Sequence, residues 1–401
     1  MIDFEVLKEI SEKTPSKIVL LVFDGLGGLP HPETGKTELE AADTPNLDRL
    51  AAEGTCGLSD PVSPGITPGS GPGHLSLFGY DPVKYLVGRG VLEALGVDFE
   101  LQEGDVAVRG NFCTVGENSI VTDRRAGRID TERSIQLCQH LSQIKVDGIE
   151  VFVIPVKEHR FAVVFRGKGL SGEVKDTDPQ QVGLMPKDAA PLSPDAVQTA
   201  MLANKFVTQA RSVLADSHPA NMVLFRGFSQ RPNLPQMGEV FRLNPAAIAA
   251  YPMYRGLAKL VGMEVLSTGS TFADELDTLA ENWANHDFFY VHIKQTDSAG
   301  EDGDFDRKVQ VIEEADALLP QLVNLNPDVL VVTGDHSTPA VLKGHSWHPV
   351  PILLHSKWCR TDGVIEFSER ACVGGGLGRI SATDIMPLAM ANALKLNKFR
   401  A

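Results

Sequence analysis

The stretch KIVLLVFDGLGG, residues 17–28, decides the fold, because an unbroken apolar run leads directly into an aspartate. Such a run is typical of a strand in a parallel sheet that helices cover on both faces. Two later runs have the same character, FFYVHIK at residues 288–294 and DVLVV at residues 328–332. We therefore predict an α/β fold whose mainly parallel sheet, sandwiched by helices, draws strands from both ends of the chain.

Helical segments alternate with these strands. They are predicted at residues 45–53, 306–319 and 382–396. The first has Thr44 at its N-cap, a proline at its first position and Gly54 just past its end, which are common signals for the start and stop of a helix. The last is expected to open with a capping box formed by Ser381 and Asp384.

The middle of the chain differs from its ends, since short strand-like runs are separated there by polar segments. A length of 401 residues favours two domains. We expect a smaller inserted α+β domain at residues 110–266, with the main domain formed by residues 1–109 and 267–401. Several arginines are concentrated in and beside the insert: Arg109, Arg124, Arg125, Arg128, Arg160, Arg166, Arg226 and Arg255.

The overall charge excludes some classes of partner. The chain has 37 Lys and Arg against 52 Asp and Glu, a formal net charge of −15. Phosphate groups attract basic surfaces, so we expect neither a nucleic acid nor a membrane to bind. The sequence has no apolar run long enough for a membrane span, no signal peptide and no CxxC pair among its five cysteines, which indicates a reducing, cytoplasmic location. The oligomeric state stays open.

An aspartate follows each of the three predicted strands. Ligands of parallel sheets bind at the carboxyl ends of the strands, and carboxylates gathered there repel one another unless a cation lies between them. Nearby acidic and imidazole side chains complete a mixed oxygen and nitrogen set that suits Mn²⁺, Zn²⁺ or a similar ion, and with a serine the set is large enough for two ions. The candidate ligands are Asp24, Asp297, Glu301, Asp335, His336 and His345.

The segment SPGITPGSGPGHLSLFGY, residues 63–80, is too rich in glycine and proline for a regular element until its apolar end. Ser70 is therefore expected in a tight loop at the N-terminus of a helix, where backbone N–H groups favour negative charge. Beside a pair of metal ions, such a serine is a plausible phosphoryl acceptor. The segment lacks the Lys-Ser/Thr of a P-loop, and no GxGxxG follows the first strand.

The chain contains a series of short motifs whose combination is highly specific. In order, they are VFDGLGG (22–28), TPNLDRLAAEG (44–54), TPGSGPGHLSLFGYDP (67–82), RGNF (109–112), DRRAGRI (123–129), AAYPMYRGLAKLVGM (249–263), TGDHSTP (333–339) and GHSWHPVP (344–351). Together they resemble the archaeal-type cofactor-independent phosphoglycerate mutases of the alkaline phosphatase superfamily. The resemblance covers nearly the whole chain. It implies an alkaline-phosphatase-like domain with an insert that closes over the substrate, and interconversion of 3- and 2-phosphoglycerate through a phosphoserine, without 2,3-bisphosphoglycerate.

The same resemblance implies a role for each candidate ligand. Two divalent ions would be bound, most often Mn²⁺, with Mg²⁺, Co²⁺ or Zn²⁺ as alternatives. Ser70 would be the nucleophile. One ion would be held by Asp24, Ser70, Asp335 and His336, and the other by Asp297, Glu301 and His345. The superfamily pattern has a histidine where Glu301 stands; an oxygen donor there favours Mn²⁺ or Mg²⁺ over Zn²⁺. If Glu301 is not a ligand, His348 or His292 would take its place.

The resemblance also implies that basic side chains bind the carboxylate and phosphate of phosphoglycerate. The substrate-binding residues would be Arg109, Asp123, Arg125, Arg255 and Lys259. Arg124 and Arg128 have an equally good structural interpretation as paired or solvated side chains. Two alternatives stay open: a metal-dependent phosphomonoesterase or phosphomutase acting on another small phosphate ester, and a non-catalytic metal-binding protein. The density of arginines favours a substrate with two anionic groups, and the presence of Ser70 argues against a protein without catalytic function.

Overall fold

The computed structural model describes residues 3–400, and these divide into two compact units. The first unit contains the residues up to Leu86, the segment Leu234–Tyr251 and the residues from Ala258 onward. The second unit contains Val87–Asn233 and Pro252–Leu257. Each unit has its own buried apolar core, so each meets the main physical requirement for a domain.

The described residues form strands and helices in alternation along most of the chain. The strands are β1 (Ile18–Phe23), β2 (Thr55–Asp60), β3 (Val106–Val115), β4 (Val121–Asp123), β5 (Glu150–Lys157), β6 (Arg160–Arg166), β7 (Met222–Ser229), β8 (Pro245–Ile248), β9 (Glu264–Val265), β10 (Phe288–Ile293), β11 (Val329–Thr333), β12 (Val350–Ser356) and β13 (Gly378–Ser381). The helices are α1 (Phe4–Ile10), α2 (Glu38–Ala41), α3 (Pro45–Glu53), α4 (Ser70–Leu77), α5 (Arg89–Gly96), α6 (Thr131–Leu141), α7 (Val197–Val213), α8 (Met237–Val240), α9 (Pro252–Leu260), α10 (Phe272–Asn282), α11 (Gln295–Asp302), α12 (Phe305–Val323), α13 (Glu369–Cys372) and α14 (Ile385–Asn392). Short 3₁₀ turns occupy Glu117–Ser119, Ala126–Arg128, Pro194–Ala196 and Ala382–Asp384.

The first unit is built on an eight-stranded sheet in the order β13-β2-β12-β11-β1-β10-β8-β9. The strand β1 lies in the middle and pairs in parallel with β10 on one side and β11 on the other. All residues of these three strands are buried, as the unbroken apolar runs predicted. The antiparallel pairs are β11 with β12 and β12 with β2. The prediction of a mainly parallel sheet with strands from both ends of the chain is confirmed.

The predicted helices are also present, with corrections at their ends. The helix α3 has the predicted bounds, although the Thr44 side chain makes no capping hydrogen bond. The helix α12 continues one turn past the predicted end, although Pro320 in that part of the helix has no N–H to donate; the Pro320 carbonyl still accepts the Asn324 N–H at 3.0 Å. The capping box at Ser381 is wrong: the first turn is 3₁₀, and the Ser381 hydroxyl lies 2.8 Å from that of Thr383 instead.

The second unit contains a five-stranded antiparallel sheet. Its order is β4-β3-β6-β5, with β7 on the other side of β3. The helix α5 packs on this sheet, and β3 begins at Val106, before the expected domain boundary. Conversely, β8 pairs with β10 and therefore belongs to the large sheet of the first unit. The compact second unit thus begins and ends earlier in the sequence than residues 110–266, because strand pairing extends across both expected boundaries.

Neither a membrane-spanning helix nor a disulfide bond is found among the described residues. In the part of the chain that the structure describes, no helix combines the length and apolar character that a bilayer crossing requires. All five cysteines are free thiols, four of them buried, with Cys359 partly exposed.

Candidate metal centre and nucleophile

Three aspartates meet at the carboxyl edge of the central strands of the first unit. Asp24 follows β1, Asp335 lies two residues after β11, and Asp297 lies in the first turn of α11, directly after β10. Because β1, β10 and β11 are parallel neighbours, their carboxyl ends are brought to one place. The three side chains are almost fully buried. The parallel sheet therefore produces the gathering of carboxylates that the sequence predicted.

One group of metal-ligating side chains consists of Asp24, Asp335 and His336, whose ligand atoms all lie within 4.8 Å of one another. The Nε2 atom of His336 lies 3.3 Å from Asp24 Oδ1 and 3.1 Å from Asp335 Oδ2. Both carboxylate oxygens are buried, and Asp24 Oδ1 accepts no hydrogen bond within the described residues. Two such oxygens beside an imidazole nitrogen are a suitable donor set for a divalent cation.

A second group consists of Asp297, His336 and His345 and satisfies the same distance limit. The His345 Nε2 atom lies 3.6 Å from Asp297 Oδ1, and the rings of His336 and His345 stack with centroids 3.7 Å apart. Glu301 lies at the margin of this group: its side chain is 52% exposed, and its Oε1 atom is 4.0 Å from His345 Nε2. Glu301 is not one of the residues whose ligand atoms all lie within 4.8 Å of one another.

Hydrogen bonds at the far side of each ring fix which nitrogen faces the site. The Thr338 hydroxyl donates to Asp297 Oδ1 at 2.7 Å and therefore accepts from the Nδ1–H of His336, which is 2.9 Å away. The Nδ1–H of His345 donates to the Pro68 carbonyl at 2.9 Å. In neutral imidazole this leaves the Nε2 lone pair of both rings directed at the site, as metal ligation requires.

A cation and a histidine of the chain itself stabilise the carboxylates. The Lys294 ammonium contacts Asp297 and lies 3.2 Å from Asp24 Oδ2, which also accepts from His292 Nε2 at 3.1 Å. Burial alone would raise the pKa of Asp24, but Lys294 and His292 hold that pKa well below its usual range. Burial lowers the pKa of His336, which keeps the imidazole neutral. These shifts favour an ionised Asp24 and an uncharged His336, the states that metal ligation requires.

Ser70 is the first residue of α4, as predicted, and Gly69 is its N-cap. Its Oγ atom lies 3.2 Å from His336 Nε2, so the hydroxyl reaches the first group of ligands. His74, one turn later, donates from Nδ1 to the Ser70 carbonyl at 2.9 Å, and the same nitrogen lies 3.0 Å from Asp335 Oδ2. The Asp335 carboxylate, against the effect of burial, raises the pKa of His74. His74 therefore connects the N-terminus of α4 to the candidate ligand Asp335.

Sequence reasoning missed the residues that support the ligands. In the sequence, Lys294 is only the last residue of a predicted strand. His74 could have been found, because it lies four residues after Ser70 and therefore on the same face of the predicted helix. His292, offered as a substitute ligand, is instead a hydrogen-bond donor to Asp24, and His348 contacts the Ser346 hydroxyl at 3.0 Å. The buried carboxylate oxygens and imidazole nitrogens of the two groups form donor sets that fit divalent cations.

The predicted substrate residues are distributed over both units. Arg109, 9% exposed, donates to Asn111 Oδ1 at 3.1 Å and lies 3.7 Å from Glu93 Oε1. Three further arginines of the second unit, Arg89, Arg160 and Arg226, interact electrostatically with Arg109. Burial and the charge of Arg109 lower the pKa of each, that of Arg89 to about 10. Burial and the neighbouring arginines also lower the pKa of His159 to about 3. This basic cluster carries an excess of positive charge.

The other predicted substrate residues have varied surroundings. Asp123 accepts the backbone N–H groups of Arg125 and Gly127 at 2.8 and 2.6 Å, so it shapes the loop that exposes the Arg125 side chain. Arg255 donates to the Gly96 carbonyl and to Asp98 at 3.3 Å each, within the second unit. Lys259 lies in the last turn of α9, in the first unit, and is partly exposed.

Arg124 and Arg166 make structural ion pairs. Arg124 binds Asp178 with two hydrogen bonds of 3.0 and 2.6 Å, and Arg166 binds Asp105 in the same way at 2.9 and 2.7 Å. Because both guanidinium groups are already engaged with carboxylates, they are poor candidates for binding an additional anion.

Comparison with known proteins gives consistent relatives. Residues 51–221 match the family described as 2,3-bisphosphoglycerate-independent phosphoglycerate mutase. Proteins named as probable members from Thermus thermophilus and Thermotoga maritima are 53% and 54% identical, each over 99% of both chains. A solved Pyrococcus horikoshii protein has a TM-score of 0.85 at 30% identity, covering 97% of this chain and 100% of its own. The cofactor-independent phosphoglycerate mutase of Thermoplasma acidophilum has a TM-score of 0.69 at 32% identity, covering 94% and 100%.

Proposed function

Because this chain belongs to the family of 2,3-bisphosphoglycerate-independent phosphoglycerate mutases, we propose that it interconverts 3-phosphoglycerate and 2-phosphoglycerate through a phosphoserine at Ser70. The observation that carries the proposal is the position of Ser70 Oγ, 3.2 Å from His336 Nε2 at the N-terminus of α4. A nucleophilic hydroxyl beside a mixed carboxylate and imidazole set is suited to phosphoryl transfer.

The two phosphoryl transfers require no reactant other than Ser70 and the substrate. Ser70 Oγ attacks the phosphorus of 3-phosphoglycerate, the bond from phosphorus to the 3-oxygen breaks, and the serine proton passes to the released glycerate. The 2-hydroxyl of glycerate then attacks the phosphoserine, the bond from phosphorus to Oγ breaks, and Ser70 regains a proton. Because the phosphoryl group returns to the same glycerate, 2,3-bisphosphoglycerate is not needed.

The two groups of candidate ligands would hold the divalent metal ions on which enzymes of this family depend. We assign Asp24, Asp335, His336 and Ser70 to one ion, and Asp297 and His345, with Glu301 after a change of side-chain conformation, to a second ion, with Mn²⁺ as the first choice. When bound, divalent ions would activate the serine hydroxyl and balance the charge of the phosphoryl group. The oxygen-rich donor set and the carboxylate at Glu301 favour Mn²⁺ or Mg²⁺ over Zn²⁺.

The residues of the chain itself contribute charge and orientation. The Lys294 ammonium lies beside Asp24 and Asp297 and adds positive charge where the phosphoryl group would be transferred. The basic cluster around Arg109, together with Arg125, Arg255 and Lys259, would bind the anionic groups of the substrate. Asp123 would act through the loop that presents Arg125. Five free thiols are consistent with a cytoplasmic enzyme.

An enolase-coupled assay of the purified protein tests the proposal. It contains 3-phosphoglycerate and Mn²⁺, omits 2,3-bisphosphoglycerate, and records free phosphate alongside the enolase product. We expect coupled product without free phosphate, and its loss on addition of a chelator. Free phosphate without 2-phosphoglycerate would show a phosphomonoesterase instead, and the absence of both products with Mn²⁺, Co²⁺, Mg²⁺ and Zn²⁺ would disprove the substrate assignment.

A further inference from the structure

Beneath the ligand groups lies a lysine that the mechanism above does not use. Lys308 is the fourth residue of α12, and its side chain is fully buried. A buried ammonium is costly unless each of its three N–H groups has an acceptor. The Lys308 ammonium meets this requirement with three backbone carbonyls, those of Gly25 at 2.9 Å, Gly27 at 3.1 Å and Thr338 at 2.9 Å.

These carbonyls belong to the two loops that carry the first group of ligands. One loop, residues 24–28, starts with Asp24, and the other, residues 334–340, contains Asp335 and His336. The loops also bond to each other directly, because the Thr338 N–H donates to the Gly25 and Gly27 carbonyls at 3.2 and 3.0 Å. Lys308 therefore reinforces a junction on which the spacing of the ligand atoms depends.

Two carboxyl groups, of the buried Glu38 and the partly buried Glu369, complete the junction by accepting backbone N–H groups of the loops. Glu38 Oε1 accepts the Ala340 N–H at 2.7 Å, and Glu369 Oε1 accepts the Gly28 N–H at 2.8 Å. The same two loops are thus held by a cation at their carbonyls and by carboxyl groups at their N–H groups. Burial lowers the pKa of Lys308 and raises that of Glu369, as expected for charges that have been removed from water.

The contact between the loops is too close for side chains. Gly25 has φ +66°, and a Cβ atom there would lie 2.5 Å from Thr338 Oγ1. A Cβ at Gly27 would lie 1.9 Å from Ser337 Oγ and 2.8 Å from Ser337 Cβ. Gly25 and Gly27 of the VFDGLGG motif therefore allow the close approach of the two loops, and the same motif contains the candidate ligand Asp24.

We propose that Lys308 is a positioning residue for the metal centre, which sets the distance between the Asp24 loop and the loop of Asp335 and His336 through its three carbonyl contacts. The inference rests on the proposed metal-dependent function. A change of Lys308 should weaken metal binding even when the fold survives, because the ligands then lose their fixed separation. Partners behind the ligands typically contribute about 10–100-fold to metal affinity.

Lys395 provides a matched control. It is also fully buried, and its ammonium donates to the Thr14 carbonyl at 2.8 Å and to Asp287 at 3.1 Å, neither of which belongs to a ligand loop. Lys308→Met and Lys395→Met each remove a buried ammonium and keep a similar side-chain volume. Both should lower the stability of the protein, but only the first should change the metal centre.

The experiment measures Mn²⁺ binding by titration calorimetry on full-length wild-type, Lys308→Met and Lys395→Met proteins, after circular dichroism has shown that each is folded. We expect the Kd for Mn²⁺ to rise about 10-fold or more in Lys308→Met and to stay within about twofold in Lys395→Met. A Kd of Lys308→Met equal to that of the wild type would overturn the proposal, as would equal changes in both variants.

A second variant covers the case in which Lys308→Met does not fold. Lys308→Arg keeps a buried cation but changes the length of the side chain and the directions of its N–H groups, so the three carbonyl contacts cannot all be kept; we expect the Kd for Mn²⁺ to rise about 10-fold, with little change in the matched variant Lys395→Arg. A wild-type Kd in folded Lys308→Arg would then overturn the proposal. If the wild type binds Mn²⁺ but forms no 2-phosphoglycerate, the proposed function fails while the Lys308 comparison still stands.

Discussion

The hydroxyl of Thr338 lies between Asp297 Oδ1, 2.7 Å away, and His336 Nδ1, 2.9 Å away, and so determines the tautomer of His336. The only hydrogen of the hydroxyl is donated to the carboxylate, and the imidazole must therefore carry its proton on Nδ1. Thr338 thus connects Asp297, a candidate ligand of the second group, to His336, which belongs to both groups.

Thr338→Val tests this coupling. The change removes the hydroxyl and keeps the shape, so we expect a drop of about 10-fold or more in both Mn²⁺ affinity and kcat, because His336 is no longer held in one tautomer. The measurements are Mn²⁺ titration and the enolase-coupled assay. Thr278→Val, whose hydroxyl donates to the Asp274 carbonyl in α10, is the control and should retain both values. Wild-type values in Thr338→Val would contradict the role of the hydroxyl.

Ser70→Ala removes the proposed phosphoryl acceptor. We expect activity to fall by about 10³-fold or more, because no other hydroxyl reaches His336 Nε2 within the described residues, while Mn²⁺ still binds to Asp297 and His345. The enolase-coupled assay and metal titration measure the two effects. Ser63→Ala, in the exposed part of the preceding loop, should behave as the wild type. Turnover near the wild-type rate in Ser70→Ala would exclude the phosphoserine mechanism.

Arg125→Ala tests the substrate side of the proposal. The exposed Arg125 side chain is presented by a loop that Asp123 orders, and loss of one charge-assisted hydrogen bond should raise KM for 3-phosphoglycerate about tenfold, with a smaller effect on kcat. Arg133→Ala, an exposed arginine that contacts Gln136 on α6, serves as the control. If both variants keep the wild-type KM, Arg125 does not bind the substrate.

The buried Glu275 of α10 predicts a pH dependence of stability. Burial raises its pKa to about 9, from an ordinary value of 4.5. Between these values the folded protein holds a proton that the unfolded chain has released, so the free energy of unfolding falls as the pH rises, by at most about 1.4 kcal/mol per pH unit for one group. Glu275→Gln should remove this contribution.

Denaturant unfolding between pH 5 and pH 9 measures the effect of Glu275. We expect the difference in unfolding free energy between Glu275→Gln and wild type to shift in favour of the variant as the pH rises. Glu281→Gln, an exposed change on the same helix, should leave the slope as it is in the wild type. A difference that does not change with pH would show that Glu275 is ionised in the folded protein.

The sequence was most informative where a strand or helix pattern stands next to a residue that can bind metal or act as a nucleophile. The runs ending at Asp24, Asp297 and Asp335 predicted both the strands and the place where their carboxylates meet, because parallel pairing of buried strands leaves few arrangements. The start of α4 at Ser70 followed from the change from glycine and proline to an apolar run.

The remaining features depend on contacts between distant parts of the chain. Lys294 and Lys308 have no local signature, because their role depends on carboxylates and carbonyls that folding brings to them. The domain boundaries were displaced because β8 completes a sheet whose other strands lie far away in the sequence. Glu301 was selected as a candidate ligand because of its spacing from Asp297. Its side chain is 52% exposed, because spacing in the sequence does not determine where a side chain points.

The central position of β1 has a consequence for biosynthesis. Its partners β10 and β11 are encoded about 270 and 310 residues later, so the large sheet cannot form until nearly all of the chain has left the ribosome. Most of the second unit is one continuous stretch, Val87–Asn233, and we expect it to fold earlier. A nascent chain without residues 334–340 therefore lacks the junction of Asp24 with Asp335, so the proposed activation of Ser70 has to wait for the synthesis of that loop.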